Sequence, residues 1–516
     1  MRSRWARVGR VRGAQRLLPA VALAILPLAI VALVLSSLGH PGQTSRATPA
    51  ATPAGSPSLC AAGSCLPEIT PLPSPLPPSP IPLLPAPLPS LRVGPPLAPT
   101  AAPARTARVA GYWPMFGYDS THSGANPQDV GLTAANLAQL RFAWSDGGGG
   151  AMPVVGDGHV VLPDAGFVGL FADPASCQTA PPYGACDQQW RVSKTGGDGF
   201  DGMFSAALVG GQIVVPDESG NVYVFSERPC GASHCLPRWS GQTAGDVSRA
   251  IALDAGSLFV GTGGNAFNSQ RDERVYAFPV NGCGASNCSP TWTSRPDNPG
   301  DVSGVTAGGG LVYAADGRLK AYRSAGCGAP TCAAVWTSDF GPLGLPTFAG
   351  GMVYSTGLSG GTGAPQLFAF DARSGVAKWQ VSLPGPKPAG GLDSPHPTVA
   401  GGSIYLVGTD ARLHVFDAVS GSERWTAAAA AAATGTHGAP AVADGLVFAG
   451  LPTAGDGTGG GLAAYSAAGC GASSCSPLWV GHSPTGSGPQ DVAAVSAGRV
   501  YGYGSGEVEV WALPGR

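Results

Sequence analysis

Eight tryptophans recur along the chain at intervals of 43 to 54 residues. They are Trp144, Trp190, Trp239, Trp292, Trp336, Trp379, Trp425 and Trp479. The interval that ends at Trp425 reads as four short strands separated by turns, among them Gly401-Gly402 and Ser420-Gly421. Four antiparallel strands within about 45 residues are the size of one propeller blade. The repeat therefore predicts an all-β chain of blades, each anchored by a packed tryptophan.

The two ends of the repeat array predict how the ring closes. Three strands follow Trp479, at 491–494, 499–503 and 507–513, and no fourth strand follows them. Residues 140–144 have the pattern of a fourth strand that lacks its first three. Joining the two pieces gives an eight-bladed β-propeller of four-stranded antiparallel blades and covers the edges that an open array exposes. Seven blades and a separate strand are the alternative.

Composition and charge agree with many short strands. The chain has 79 glycines and 50 prolines, and only 12% of its residues are charged, which favours turns and strands over helices. The net charge is −2, with no basic run beyond the N-terminus. Because phosphate binding needs a concentrated basic surface, we expect no nucleic-acid partner.

The first 39 residues predict a membrane anchor. Residues 1–16 carry six arginines, and residues 17–39 are uncharged and long enough to cross a bilayer of about 30 Å. The arginines keep residues 1–16 in the cytoplasm, so the chain is predicted to be a single-pass protein of the cell membrane with its propeller outside the cytoplasm. A cleaved signal peptide is the alternative.

Between the anchor and the repeats, residues 40–108 are rich in proline, most densely at 71–89. Proline lacks a backbone donor and fixes φ, so this stretch predicts a disordered or extended polyproline stalk. Residues 109–516 are then the propeller domain.

The twelve cysteines form six local pairs, which indicates an oxidising compartment. The pairs are Cys60 with Cys65, Cys177 with Cys186, Cys230 with Cys235, Cys283 with Cys288, Cys327 with Cys332, and Cys470 with Cys475. The last four share the spacing C-x4-C at the last turn of a blade, where a disulfide can close the hairpin and stabilise it by about 2 kcal/mol. Zinc binding would need four ligands, and a redox role would favour C-x-x-C, so structural disulfides are preferred.

Two turns carry a recognisable repeat. The segments 372–379 and 418–425 resemble the A-x-[ST]-G-x-x-x-W docking motif of the pyrroloquinoline-quinone (PQQ) type propeller repeat. The stretch 113–119, with His122, Gly124 and Asn126, resembles the W-P-x-F-x-x-D-x-x-x-x-G-x-N entry segment of bacterial members. The resemblance covers residues 110–516 and implies a fold shared by quinoprotein dehydrogenases and by non-catalytic scaffolds similar to BamB.

The resemblance implies two functions. In the dehydrogenases of this family, PQQ lies on a tryptophan floor beneath a disulfide of adjacent cysteines, with calcium and a catalytic aspartate. This sequence has no Cys-Cys dipeptide and no C-x-x-C-H haem motif. It therefore favours a membrane-anchored, non-catalytic scaffold that binds an envelope protein or polymer, with no catalytic residue and no cofactor or metal. A PQQ- and calcium-dependent dehydrogenase of alcohols or sugars is the alternative.

Polar residues precede the first strands of several blades. They are Asp201, Asp246, Asp301, Asp393, His396, His437 and Asp491. First strands line the central channel of a propeller, so these side chains predict a small-ligand or cation site at the channel mouth. The competing interpretation is that they only hydrogen-bond turn amides.

The cysteine pattern makes a direct prediction. Intact-mass analysis of the exported domain under non-reducing conditions should show all twelve cysteines oxidised. Free thiols at most of the C-x4-C pairs would contradict structural disulfides.

Overall fold

Short strands dominate the part of the chain that the computed structural model describes. That part consists of residues 111–128, 130–146, 152–156, 159–164, 167–171, 188–195, 200, 206–232, 234–248, 250–263, 272–295, 302, 304–315, 317–341, 344–359, 363–385, 396–427, 438–451, 460–484, 491–504 and 507–515. Its one helix is a 3-10 turn at Leu137–Gln139. No helix in these ranges is long and apolar enough to cross a membrane. The predicted anchor and the predicted stalk lie outside them.

The first four sheets are blades 1 to 4, and the strands of each are given from the innermost to the outermost. Blade 1 contains Val154–Gly156, His159–Asp164, Phe167–Phe171 and Gln188–Val192. Blade 2 contains Ala207–Val209, Gln212–Pro216, Asn221–Ser226 and Trp239–Gln242. Blade 3 contains Ala252–Asp254, Ser257–Gly263, Val275–Pro279 and Trp292–Ser294, with Asp246–Val247 pairing the second strand. Blade 4 contains Val305–Gly308, Leu311–Ala315, Leu319–Arg323 and Trp336–Thr337.

The remaining sheets are blades 5 to 8. Blade 5 contains Thr347–Ala349, Met352–Leu358, Pro365–Asp371 and Ala377–Ser382. Blade 6 contains Thr398–Ala400, Ser403–Val407, Leu413–Asp417 and Glu423–Ala427. Blade 7 contains Ala441–Ala443, Leu446–Leu451, Gly461–Ser466 and Trp479–His482, and Ala125–Asn126 pairs its inner strand in parallel. Blade 8 contains Asp491–Ser496, Arg499–Gly504, Glu507–Ala512 and Arg141–Asp146.

Blade 6 shows why this sequence forms such strands. Its first two strands are joined by Gly401 and Gly402, whose φ values of 55° and 74° suit the tight turn that connects antiparallel strands. All five residues of Ser403–Val407 are buried, because neighbouring blades cover both faces of the sheet. The core consists of such layers of apolar side chains between successive blades.

Strand Arg141–Asp146 closes the ring, as the sequence predicted. It pairs antiparallel with Glu507–Ala512, so the last blade takes its outer strand from the N-terminal part of the domain. Trp144 is only 1% exposed and lies edge-on to Tyr501, with ring centroids 6.4 Å apart. The prediction of an eight-bladed, all-β propeller is confirmed in the described residues.

The outer-strand tryptophans pack under the turn of the following blade. A Cβ atom on the glycine of that turn would lie 2.7–2.8 Å from the indole of the preceding blade at Gly282, Gly326, Gly421 and Gly469. Each of these glycines also has φ between 73° and 81°. Trp336 donates from its indole nitrogen to the carbonyl of Ala372 at 3.1 Å. Glycine is therefore required for both the turn and the close approach of the ring.

The four C-x4-C pairs of the described residues form disulfides: Cys230–Cys235, Cys283–Cys288, Cys327–Cys332 and Cys470–Cys475. We call these turns the cysteine hairpins. The second cysteine of each lies in a two-residue strand that pairs in parallel with the outer strand of the preceding blade. Each hairpin therefore also joins two blades, a role that the spacing alone did not predict.

Two of the predicted disulfides lie outside the described residues. One pairs Cys60 with Cys65 in the proline-rich stretch, and the other pairs Cys177 with Cys186 in the first blade. Since the structure describes neither Cys60 and Cys65 nor Cys177 and Cys186, these two bonds stay predictions.

Trp144→Ala tests the closure. Removing a fully buried indole from the strand that closes the ring should lower the free energy of unfolding by about 3–5 kcal/mol, measured by denaturant titration. Val419→Ala is the control, because Val419 is 85% exposed and its truncation should cost little. A loss below about 1 kcal/mol for Trp144→Ala would contradict the closure by this strand.

Candidate functional site

Residues 112–126, which we call the axial segment, hydrogen-bond to the inner strands of all eight blades. Six inner strands donate a backbone amide to its carbonyls: Val155 to Trp113 (2.9 Å), Leu208 to Pro114 (2.7 Å), Ala307 to Ser120 (2.7 Å), Phe348 to Thr121 (3.0 Å), Val399 to Ser123 (2.8 Å) and Val442 to Gly124 (2.9 Å). Blade 3 donates from Leu253 to the hydroxyl of Ser120 at 3.0 Å. Blade 8 accepts at Val495 from the amide side chain of Asn126, also at 3.0 Å. The segment therefore lies inside the ring of inner strands.

Asp119, Gly117 and Gly124 shape the axial segment. The carboxylate of Asp119 accepts from the amide (3.0 Å) and the hydroxyl (2.6 Å) of Thr121, which holds the segment in a tight turn. Gly117 and Gly124 have φ values of 64° and 66°. A side chain at Gly124 would collide with Thr398 of blade 6. Asp and Gly thus give the segment the curvature that follows the ring.

His122 lies at the centre of the axial segment and is fully buried. Its Nε2 is 3.1 Å from the carbonyl of Ile251, and its Nδ1 is 2.9 Å from the hydroxyl of Thr306. Because a carbonyl only accepts, Nε2 carries the proton of the neutral ring. Burial lowers the pKa of His122 to about 4, against the smaller opposing effects of the Ile251 hydrogen bond and of Asp119.

His396 is the second buried histidine of this centre. Its ring and that of His122 pack edge-on to Phe116, with centroids 5.2 Å and 5.6 Å away. Its Nε2 lies 3.2 Å from the hydroxyl of Thr347, and its Nδ1 has no hydrogen-bond partner among the described residues. Burial, and then the neighbouring His122, lower the pKa of His396 to about 3. Both imidazoles are neutral at pH 7 and poorly suited to general acid–base catalysis at that pH.

The predicted mouth residues divide into two groups. Asp201, Asp301, Asp393 and His437 lie outside the described residues. Asp246 lies in the short strand that pairs the second strand of blade 3, and Asp491 begins the inner strand of blade 8 and accepts from the amide of Ala439 at 2.8 Å. His396 lies against the axial segment. Both a ligand site at the channel mouth and the competing turn-amide interpretation stay predictions.

Sequence reasoning missed His122 and Phe116 as centre residues. Both stand within or next to the entry motif, and the motif was the one signal that could have found them. The contacts of His122 reach Ile251 and Thr306, 129 and 184 residues away, and no local pattern reports such pairing.

The described residues do not fit the PQQ site of a quinoprotein dehydrogenase. Their repeat tryptophans lie on outer strands, and those of blades 2 to 6 pack beneath the turn of the next blade, away from the axis. Backbone carbonyls of the axial segment accept hydrogen bonds from the inner strands around the axis. No cluster of three His, Cys, Asp or Glu side chains that could hold a metal ion occurs in the described ranges.

Comparison with known proteins supports the predicted resemblance. Residues 315–470 match the family model described as outer membrane protein assembly factor BamB. No curated protein matches the sequence.

Among solved structures, BamB from Moraxella catarrhalis is 16% identical, covering 72% of this chain and 99% of its own, with a TM-score of 0.46. Two quinohemoprotein alcohol dehydrogenases also match, both with a TM-score of 0.53. The enzyme from Comamonas testosteroni is 16% identical and covers 80% of this chain and 82% of its own. ADHIIG from Pseudomonas putida HK5 is 14% identical and covers 79% and 81%. These identities indicate a shared fold alone.

Gly124→Ala tests the fit of the axial segment. The added Cβ meets Thr398 at a left-handed backbone position, so we expect a loss of about 3 kcal/mol in the free energy of unfolding. Gly131→Ala is the matched control. Gly131 also has a left-handed φ of 79°, but an added Cβ would meet open space, so only the backbone strain of about 1 kcal/mol applies. Equal losses in chemical denaturation would contradict the tight seating of the segment.

The two buried histidines predict acid sensitivity. Their pKa values in the folded protein lie below the unfolded value of 6.5, so the unfolded chain binds more protons as the pH falls below 6.5. Stability is therefore fully present above pH 6.5 and declines towards pH 4, by about 2 kcal/mol per histidine at pH 5. The measurement is the free energy of unfolding from pH 7 to pH 4.5, which His396→Gln should make less steep.

His414 is the control with the opposite sign. Burial alone would lower its pKa, but hydrogen bonds to Asp410 (3.1 Å) and Glu423 (2.6 Å) outweigh burial and raise it. Its contribution is fully present below pH 6.5 and is lost as the pH rises through its folded pKa. Below pH 6.5, His414→Gln should therefore lower the stability by a constant amount and leave the slope of the acid decline as in wild type. The same decline in wild type and in His396→Gln would contradict the assignment to the axial centre.

Proposed function

We propose that this chain, which carries the repeat of the PQQ-like β-propeller family, acts as a non-catalytic binding scaffold in the cell envelope. Residues 315–470 match the family model named for an outer membrane assembly factor, and the described residues form a β-propeller. The arginine-rich N-terminus followed by an uncharged stretch supports an anchor that holds the propeller outside the cytoplasm.

The observation that carries this proposal is the axial segment. It bonds to the inner strand of every blade, so the centre of the ring serves the stability of the fold. The side chains gathered there are a phenylalanine and two histidines whose pKa values of about 4 and 3 keep them neutral. Contact with another molecule then takes place on the faces and the rim of the propeller.

The proposed partner is a protein or polymer of the envelope. Residues on the rim present exposed apolar side chains, such as Val419 (85% exposed), Leu236 (58%) and Val376 (57%). Each lies at or next to the last turn of its blade, which places it where a large partner can reach it. Apolar side chains on a rigid frame are suited to protein contact.

Site-specific photo-crosslinking in cells tests the scaffold. A crosslinking amino acid is placed at Val419, Leu236 or Val376 of the full-length chain, with Val399, which is 8% exposed, as the buried control. The scaffold predicts a discrete adduct from one or more rim positions and none from the buried position. No adduct from any rim position would contradict it.

An absorption spectrum and an oxidation assay distinguish the scaffold from the alternative, a PQQ-dependent dehydrogenase. Purified protein is mixed with PQQ and calcium, and the absorbance of the quinone and the dye-linked oxidation of alcohols and sugars are recorded. The scaffold predicts neither bound quinone nor oxidation. Stoichiometric PQQ with dye reduction would replace the scaffold by the enzyme.

A further inference from the structure

The outer edges of the blades are covered unequally. In blades 1, 2, 3 and 6 the cysteine hairpin of the next blade adds a short parallel strand to the outer strand. In the described residues, the sheets of blades 4, 5, 7 and 8 end at their own fourth strands. Blades 5 and 6 have the shorter turns Ser374-Gly375 and Ser420-Gly421. These turns cover the tryptophans of blades 4 and 5 but add no strand to their sheets. Blade 8 is followed by blade 1, whose last turn lies outside the described residues. Of the other three outer strands, Ala377–Ser382 of blade 5 is the longest.

The covered blades show what an open edge can bind. The residue after the tryptophan donates its backbone amide outward to the hairpin: Ser240 to Ser286 (2.8 Å), Thr293 to Pro330 (2.8 Å) and Thr426 to Ser473 (3.0 Å). A second bond follows two residues later, from Ser193 to Cys235 (3.1 Å) and from Arg295 to Cys332 (2.9 Å). The corresponding amides of blade 5 belong to Gln380 and Ser382. They point outward from an edge strand whose one neighbour in the described sheet is on the inner side.

Apolar side chains flank this open edge. Val419, 85% exposed, lies in the turn that covers Trp379, and Val376, 57% exposed, directly precedes the strand. An extended segment paired with Ala377–Ser382 would place alternate side chains over this apolar surface.

The charges around the edge select among possible occupants. Arg373 is exposed, and Lys378 and Arg424 keep 49% and 44% of their side chains accessible beside Asp371 and Asp417. Lys378 and Arg424 pair with these carboxylates, so Arg373 is the cation in excess at this edge, and pairing with the same edge of a second copy would bring two such arginines together. A segment from another polypeptide with acidic residues avoids that repulsion.

We propose that the outer edge of blade 5 binds an extended, acidic segment of a partner polypeptide as an added strand, parallel to Ala377–Ser382. The backbone amides of Gln380 and Ser382 donate to the segment, and an apolar side chain of the segment lies against Val419. This site rests on the proposed scaffold function and gives its partner a docking mode. The cysteine hairpins of this chain are the internal precedent for the added strand.

Gln380→Pro tests the site in the full-length protein. Proline removes the outward amide but no bond to the inner neighbour, so an edge strand tolerates it and the melting temperature should stay near that of wild type. Gln380→Ala is matched, because it removes the same side chain and keeps the amide. The crosslinker at Val419 should give an adduct in wild type and Gln380→Ala, and about tenfold less in Gln380→Pro.

A defined probe measures the same edge in purified protein. The probe is the soluble peptide Glu-Thr-Val-Thr-Val-Glu, and the measurement is the exchange of the Gln380 and Ser382 amides with and without it. Slower exchange on addition, and no effect of the peptide on Gln380→Pro, support the site. Unchanged exchange in wild type would overturn it.

The remaining outcomes distinguish this site from the scaffold itself. An undiminished adduct in Gln380→Pro overturns the blade 5 edge and leaves the scaffold standing. An adduct with twice the mass of the chain identifies a second copy and overturns the acidic partner. Adducts at no rim position overturn both proposals.

Discussion

The structure depends on the hydrogen bonds between the axial segment and the inner strands. An inner strand of three residues, such as Thr398–Ala400, pairs on one side only and turns its remaining amides towards the axis. Buried amides of this kind need a partner, and the carbonyls of the axial segment supply it. At about 1 kcal/mol for each bond, the set is comparable to the whole stability of many domains before the cost of ordering the segment is subtracted.

The N-terminal part of the domain therefore stabilises the ring at two places, one near its axis and one at its outer edge. Residues 112–126 bond to the inner strands, and Arg141–Asp146 completes blade 8 at the outer edge. Asn126 alone joins residues 369 positions apart, through its bond to Val495. The cysteine hairpins add a third set of links between neighbouring blades. A ring held in this way is suited to present its rim as a fixed surface, which is the property that a scaffold needs.

The periodic part of this architecture could be predicted from the sequence, because it repeats. Trp379 and Trp425 stand at the same place in successive units, and the unpaired fourth strand at 140–144 predicted the closure. The cysteine spacing predicted disulfides but not the pairing of Cys288 with Gly241 of the preceding blade, because that contact depends on how two blades pack. The axial segment was visible as a motif, but its role was not, since its partners lie up to several hundred residues away.

The candidate site illustrates the same limit. His396 was selected for its place before a first strand, but its contacts with Phe116 and His122 depend on a segment some 270–280 residues earlier in the chain. Asp491 was selected by the same rule and bonds to the amide of Ala439. Position in a repeat thus indicates where a residue lies in the ring, and the non-repeating segment decides what it contacts.

Amide hydrogen exchange at the inner strands tests this account most directly. The amides of Val155, Leu208, Ala307, Phe348, Val399 and Val442 all donate to the axial segment. If that segment holds the ring, they should exchange only through global unfolding, with the same free energy as the core of blade 6. Exchange of these amides at the rate of exposed turns, while the blade cores stay protected, would show that the ring does not depend on the axial segment.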